Sequence, residues 1–449
     1  MLFLGYLQVR QVDWEQMRTC VSILLATALC AGCTARKVPT VTTADGILAR
    51  TGKAVQPRGA TASMPPGISL EQPLSADAAA AIAVWNNAQL RADLAAIGIA
   101  EADFQEASLL LRNPRLDLLV PIGAKPFELL FNFPLEIFLQ RPRRIAVSEQ
   151  ALNQLAQSLI QNAVNTARDA QIAHADLVQA GARVALAEES SALRDRIAEL
   201  TAARLRAGDI AELETIAAKT EAGTAREQLS RLRHEVVLAR QRLCFTLGLP
   251  PKEPKLQVTA APAAAAPPPA LDALLEKAMA SRADLRAIEL SIATATSRAK
   301  WERSRFLWLT AQLSSKGVGT NGILTGPGLS VEAPVFNRNQ GGIARAEAEV
   351  QMASKQYLAL KQRIALEAAD ARGQLVQAQD VLATLREAVL PPLERGAALA
   401  EQQYKKGDVA YLFVLEQTRG LVDARQRVID SEAAIRRAQA QLERSVGSR

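Results

Sequence analysis

Between Phe127 and Phe138 the hydrophobic pattern has a period of two. Phe127, Leu129, Phe131, Phe133, Leu135 and Ile137 are large and apolar, while the intervening positions include Glu128, Asn132 and Glu136. Strict alternation predicts a strand with one greasy and one wetter face. Leu116–Val120 predicts a shorter strand before it, joined by the loop at 121–126. A second pair occurs further along. Leu307, Leu309, Ala311 and Leu313 alternate with Trp308, Thr310, Gln312 and Ser314, and Leu329, Val331, Ala333 and Val335 alternate with Ser330 and Glu332. Lys316 to Gly326 predicts a glycine-rich loop between them. The two strand pairs thus fall at about 115–138 and 306–336. Alternating segments of ~10 residues are the signature of transmembrane β-barrel strands, apolar towards lipid and polar towards the lumen. Phe306 and Trp308 fit an interfacial aromatic position, and Pro134 and Pro334 predict a bend late in each pair.

Elsewhere the period is helical. A first helical stretch is predicted from Ala76 to Leu111, ended by Asn113-Pro114 because the residue before proline is pushed out of the α region. A second runs from Arg144 to Arg206, roughly 60 residues and about 90 Å at the helical rise. A third runs from Gly341 to Leu390, where Pro391-Pro392 is expected to kink or break it. Helices of this length need partners along their whole extent, as in coiled coils. The chain also says one thing twice. Leu205-Arg206-Ala207-Gly208-Asp209-Ile210-Ala211 returns as Tyr404-Lys405-Lys406-Gly407-Asp408-Val409-Ala410 at an offset of about 199 residues, which also carries Leu213 to Leu412 and Ala225-Arg226 to Ala424-Arg425. A polar helix enters each Gly-Asp and another leaves it, predicting two helical hairpins with glycine tips.

Composition agrees with long helices that meet along thin seams, for the chain is alanine-rich and only 4% aromatic. The net charge of +7 does not indicate nucleic acid, because Lys and Arg are interspersed with Asp and Glu along helix faces. Met17-Arg18, the apolar run Val21 to Leu29 and Ala31-Gly32-Cys33 read as a secretory signal with translation starting at Met17. The Ala-Gly-Cys ending resembles a bacterial lipobox, although Cys30 stands where that pattern usually has Leu. It implies lipidation of Cys33 and a stable membrane anchor. The mature chain then keeps Cys244 alone, in the apolar helix end Leu243–Leu247, as a small buried hydrophobe.

These signals divide the chain into a signal at 1–33, a Pro/Thr/Ala-rich tether at 34–74, a first repeat at 75–249, a proline- and alanine-rich linker at 250–270 and a second repeat at 271–449. The fold class is a mixed α/β membrane protein with two internal repeats. Four strands cannot close a barrel, and open edges in hydrocarbon leave backbone groups unsatisfied. Three copies would supply twelve strands, an even number wide enough for an aqueous lumen.

Several segments resemble the TolC-like outer-membrane efflux channels. Arg282-Ala283-Asp284-Leu285-Arg286 is similar to that family's Arg-Pro-Asp-Leu stretch, with Ala283 in place of Pro. Ala333-Pro334-Val335-Phe336-Asn337-Arg338-Asn339-Gln340-Gly341, followed by Ile343-Ala344-Arg345-Ala346-Glu347, is similar to the cobalt-zinc-cadmium branch. The resemblance implies a homotrimer with a twelve-stranded transmembrane barrel and a helical periplasmic tunnel. It further implies a lipid-anchored location in the outer membrane, and work with a periplasmic adaptor and an inner-membrane proton-driven transporter. By the same resemblance Leu205, Gly208, Asp209, Tyr404, Gly407 and Asp408 form the adaptor-docking tips, and Glu214, Glu416 and Tyr404 narrow the pore. Phe413 stands where the family has a further acidic residue. Rings of carboxylates attract cations and resist anions.

No phosphate loop, nucleophile elbow or zinc motif is present in the sequence, so an enzyme is not expected. No cofactor or bound metal is expected either, with His174 and His234 read as residues on solvated helix faces. Two other readings stand beside a metal pump. One is the same channel serving drugs or type I protein secretion, and the other is a periplasmic coiled-coil structural lipoprotein.

Overall fold

A computed structural model describes residues 38, 43–56, 63–109, 115–120, 127–250, 256–260, 266–306, 308–317 and 323–447. Cys33, Met17 and the signal lie outside the described residues. The elements in chain order are α1 (Thr43–Thr51), α2 (Ala76–Asn86), α3 (Ala88–Ser108), β1 (Arg115–Leu119), β2 (Glu128–Pro134), α4 (Glu136–Ala207) and α5 (Glu212–Thr246). They continue as α6 (Leu271–Ser281), α7 (Ala283–Glu302), β3 (Trp308–Gly317), β4 (Ile323–Glu332), α8 (Gln340–Thr384), a π-helical turn (Leu385–Val389), α9 (Leu390–Lys406) and α10 (Tyr411–Ser445). The chain divides into two compact units. One contains residues 97–155 and 288–356, the other residues 42–96, 156–287 and 357–449.

The first unit holds an antiparallel sheet in the order β1-β2-β3-β4. Its central pairing joins strands far apart in sequence, with Phe131 opposite Leu313 and Asn132 opposite Gln312. Because side chains alternate across a strand, the register sorts the sheet into two faces. One carries Leu116, Phe131, Leu313 and Pro327 in one row, and Phe133, Ala311 and Leu329 in another. The other carries Arg115, Asn132, Gln312 and Gly328, with Glu128 opposite Lys316 and Thr310 opposite Ser330. On the apolar face the two hydroxyls of Ser315 and Thr325 satisfy each other at 2.9 Å. On the polar face Asn132 donates to Asp117 at 2.8 Å. Leu116, Leu118, Leu329 and Val331 are all more than half exposed, an apolar surface that a soluble chain would cover.

Three strand expectations are corrected. β2 stops at Pro134, which cannot donate to a ladder, and Glu136 opens α4, so Leu135, Ile137 and Phe138 leave the strand. α4 therefore begins before Arg144 and carries Pro142 inside it. β3 extends to Gly317 and β4 begins at Ile323, so most of the predicted Lys316–Gly326 loop is strand; Ala333, Pro334 and Val335 fall beyond β4. After β4, Asn339 adopts a left-handed backbone at φ 61°. Its amide donates to the Glu302 carbonyl and carboxylate at 2.8 and 2.7 Å, which pins the start of α8 to the end of α7. The Asn-Arg-Asn-Gln-Gly stretch is thus a turn anchor.

The second unit is helical, and its core is built from alanine, leucine and isoleucine. Leu74, Ala79, Ile82, Ala83, Ala170, Leu177, Leu243, Cys244, Leu247 and Leu256 form one buried cluster. The predicted 76–111 helix is two helices, because Asn87 leaves the α region at ψ 122°. Its amide donates to the Thr246 carbonyl at 2.9 Å at the end of α5. Arg282 makes the same break between α6 and α7 at ψ 127°, and donates to the Ser445 carbonyl at 3.2 Å at the end of α10. The Arg282 side chain is 1% exposed and is held by Asp284 and Glu367 at 2.5 and 2.6 Å. Although burial opposes it, the hydrogen bonds and charge of Arg282, with Arg444 and Arg363, hold the Glu367 carboxyl below its ordinary value.

The described parts of the tether and the linker are more ordered than their composition predicts. Ile47 of α1 is fully buried beside Val84, Leu90 and Ile160. Leu74, at the end of the tether, donates to the Gln257 carbonyl of the linker and accepts from Thr259 N–H, at 2.8 and 3.0 Å. The Leu74 carbonyl also accepts Nε2–H of His174 at 2.8 Å. His174 is 2% exposed, which corrects its expected place on a solvated face, whereas His234 is exposed. Pro391-Pro392 does not end the helical run that starts at Gln340, which continues to Lys406. The π-helical turn precedes the pair, with Leu390 N–H reaching back five residues to the Leu385 carbonyl, and the prolines sit in the first turn of α9, where missing donors cost least.

Candidate functional site

In the second unit the helical stretches reverse at two tips of matching geometry. α4 ends at Gly208, φ +82°, with Gly208 N–H bonded to the Leu205 carbonyl and Asp209 N–H to the Arg204 carbonyl, each at 3.0 Å. α9 ends at Gly407, φ +86°, with the equivalent bonds to Tyr404 and Gln403, again at 3.0 Å. This pairing of a six-residue and a four-residue bond satisfies the last helical carbonyls, and the left-handed residue it needs is glycine at both tips. Ala211 and Ala410 then open α5 and α10 with the same extended backbone, ψ 149° and 152°, and without a side-chain cap.

Below the tips Ile197, Ala198, Ala218, Ala222, Ala400, Tyr404, Tyr411, Val414 and Leu415 form a single buried cluster. The alanines let the helices approach closely, and the two tyrosine rings fill the remaining space, 6.2 Å apart and tilted by 57°. Arg204 stacks over the Tyr404 ring at 5.0 Å and also donates to the Tyr404 carbonyl at 3.4 Å, so one cation ties the first tip to the second. Burial pushes the Tyr404 phenol up; Arg204 opposes this and the nearby Glu214 adds to it.

The tip residues divide by exposure. Gly208, Asp209, Gly407 and Asp408 are exposed, Leu205 is half-buried, and Leu213 and Leu412 are 74% and 63% exposed just beyond the turns. Tyr404 is 2% exposed. It packs into the helix core and not on the exposed tip surface, in the space left by the alanines around it. Glu214 is half-buried and Glu416 exposed, on α5 and α10 respectively. Ion pairs staple the hairpins further from the tips. Arg226 meets Asp195 at 2.7 Å and Arg425 meets Glu394 at 3.2 Å, each pair 31 residues apart. Arg425 also reaches Glu189 at 2.9 Å. The repeated Ala-Arg was visible in the sequence, but its carboxylate partner lies across the hairpin. Arg204 and Tyr411 carried no signal of their own. Among the described residues no group of three His, Cys, Asp or Glu side chains is placed to hold a metal ion. What the tips offer is a rigid, repeated surface of glycine, aspartate and leucine above a packed core.

Residues 274–448 match the family of outer membrane efflux proteins. The cobalt-zinc-cadmium resistance protein CzcC of Cupriavidus metallidurans is 27% identical over 391 residues, covering 84% of this chain and 90% of that protein. The chain is related to the outer membrane efflux proteins. Solved structures share their fold. CusC, whose structures describe transmembrane channel formation, superimposes with a TM-score of 0.70 at 19% identity over 88% of this chain and 99% of its own. VceC, an outer membrane protein of Vibrio cholerae, gives 0.70 at 15% identity over 83% and 96%. The outer-membrane channel OprN gives 0.71 at 19% identity over 89% and 97%. The shared architecture is long helices with a small four-stranded sheet. In this efflux protein relative the sheet and the tips are the elements that differ most from an ordinary helical bundle. No helix among the described residues is long and apolar enough to cross a membrane.

Proposed function

We propose that this chain is the outer-membrane channel subunit of a tripartite efflux pump for divalent heavy-metal cations. The observation that carries the reading is the four-stranded sheet, with one apolar face, one polar face and edges at β1 and β4 that are unpaired among the described residues. In hydrocarbon each unsatisfied edge group costs several kcal/mol, so such a sheet must close with others. Three copies close a twelve-stranded barrel, leucines towards lipid and the Asn132–Gln312 face towards water. The helical hairpins of three protomers then enclose a periplasmic tunnel, and lipid on Cys33 adds an anchor. An adaptor docks on Leu205, Gly208, Asp209, Gly407 and Asp408, while Glu214 and Glu416 supply the acidic constriction. An inner-membrane proton-driven transporter delivers the cargo. The relation to CzcC supports metal ions as that cargo, and the channel itself does no chemistry.

Two measurements test this. The purified mature chain should form trimers and conduct ions in planar bilayers; a soluble, non-conducting monomer would overturn the channel. A deletion strain should lose growth on zinc, cadmium, cobalt, nickel or copper and regain it with the chain supplied in trans. Complemented sensitivity confined to drugs would move the cargo and keep the channel.

A further inference from the structure

In the first unit a cavity of about 480 Å³ lies where β2 leaves the sheet into α4 and where α7 leads back towards β3. One wall is a single stripe of the first turns of α4, Glu136, Leu139, Gln140 and Arg143, spaced to share a helix face. The other is Lys300, Arg303 and Phe306, at the end of α7 and the turn after it. Three cations therefore converge on one space. Arg303 is engaged by Glu347 at 2.6 Å, whereas Arg143 and Lys300 are exposed and make no ion pair among the described residues. Two further groups are unusual. Glu136 Oε2 and Gln140 Nε2 are both hidden from solvent and neither has a hydrogen-bond partner among the described residues. Buried polar atoms are rarely left so, and an orphaned acceptor and an orphaned donor one helical turn apart on the same wall mark a place for a group that supplies both. Leu139 and Phe306, which also line the cavity, are 64% and 48% exposed and give it an apolar edge.

We infer that this cavity binds the phosphoethanolamine headgroup of a phospholipid. The phosphate diester takes Arg143 and Lys300, with Gln140 Nε2–H as a further donor. The primary ammonium gives its N–H groups to the waiting Glu136 carboxylate, and an acyl chain leaves over Leu139 and Phe306. A headgroup bearing only negative charge leaves Glu136 unmatched, and a quaternary ammonium has no N–H to donate. The inference rests on the sheet lying in a membrane, since only then does its end fall at headgroup depth. The site would fix how deep the sheet sits, because charged lipid contacts at the barrel rim resist vertical movement.

Native mass spectrometry of the full mature chain released from detergent tests it, using phosphatidylethanolamine, phosphatidylcholine and phosphatidylglycerol with identical acyl chains. The wild type should retain phosphatidylethanolamine about tenfold over phosphatidylcholine, as a charge-assisted hydrogen bond implies. Glu136→Gln, an isosteric change, should erase that preference while leaving overall lipid retention. Arg143→Gln with Lys300→Gln should lower retention of all three, by about fivefold per cation. Equal retention of ethanolamine and choline lipids by the wild type would overturn the site, as would unchanged lipid profiles in the variants, the result expected if a neighbouring copy fills the cavity. Conductance measured on the same preparations separates the two ideas. A conducting channel without the preference refutes the headgroup site alone, and a preference without conductance counts against the channel while supporting the site.

Discussion

Gly208 and Gly248 share a positive φ and differ in what surrounds them. A Cβ on Gly208 would meet nothing within 4 Å, but on Gly248 it would lie 2.4 Å from the Asn86 carbonyl oxygen. Gly208→Ala should therefore cost only the left-handed strain, about 1 kcal/mol. Gly248→Ala should add about 1–3 kcal/mol of overpacking against backbone that cannot rotate away. Denaturant unfolding followed by circular dichroism would show the difference; equal losses would mean that the contact relaxes freely. His174 sets a pH dependence. Burial holds its pKa below the ordinary 6.5, with the Leu74 bond opposing and Arg436 adding. The unfolded state therefore binds the proton first, so stability is full above about pH 6.5 and falls as pH drops through the folded value. Thermal midpoints of the wild type should fall between pH 7.5 and 5.5 by more than those of His174→Gln, whose amide can keep the Leu74 bond. Parallel profiles would assign acid sensitivity elsewhere.

At the scale of the element, the sheet register makes neighbouring residues unequal. Leu329 and Gln312 are on adjacent strands but opposite faces, as their partners Ala311 and Gly328 show. If the Leu329 face meets hydrocarbon, Leu329→Arg should destabilise the folded protein in vesicles by about 2–4 kcal/mol, depending on depth, while Gln312→Arg in the lumen should be tolerated. Equal effects would argue against a two-sided barrel strand. The ion-pair staples of the hairpins are exposed enough that each contributes little, about 0–1 kcal/mol. Their repetition fixes helix register more than it adds stability.

For the whole molecule, if three copies enclose the proposed channel, the tips are where passage would be decided. With Tyr404 buried within the chain, the groups left to narrow the proposed trimeric pore are Glu214 and Glu416. Three copies of each would favour cations. Glu214→Ala with Glu416→Ala should reduce cation over anion selectivity, seen as a reversal potential shifted towards zero in a salt gradient. An unchanged potential would place the constriction elsewhere on the hairpins.

Local periodicity determined a good part of this protein from sequence alone. Alternation at 129–133 and 309–313 marked two-faced strands because side chains of a strand alternate whatever the strand pairs with. The repeated Gly-Asp marked both tips because a left-handed residue after a helix is a backbone requirement that glycine meets locally. Tertiary structure decided whatever depends on a distant partner. Pairing of β2 with β3 brings Asn132 opposite Gln312, and no local pattern specifies that. Asn87 interrupts a helical pattern because its amide is needed by the Thr246 carbonyl. Tyr404 and His174 had the look of surface residues on polar helices. They are interior because the alanines of neighbouring helices, and the linker returning past Leu74, close around them. A helix sequence states which face is apolar; how far that face extends inward depends on the small residues brought against it.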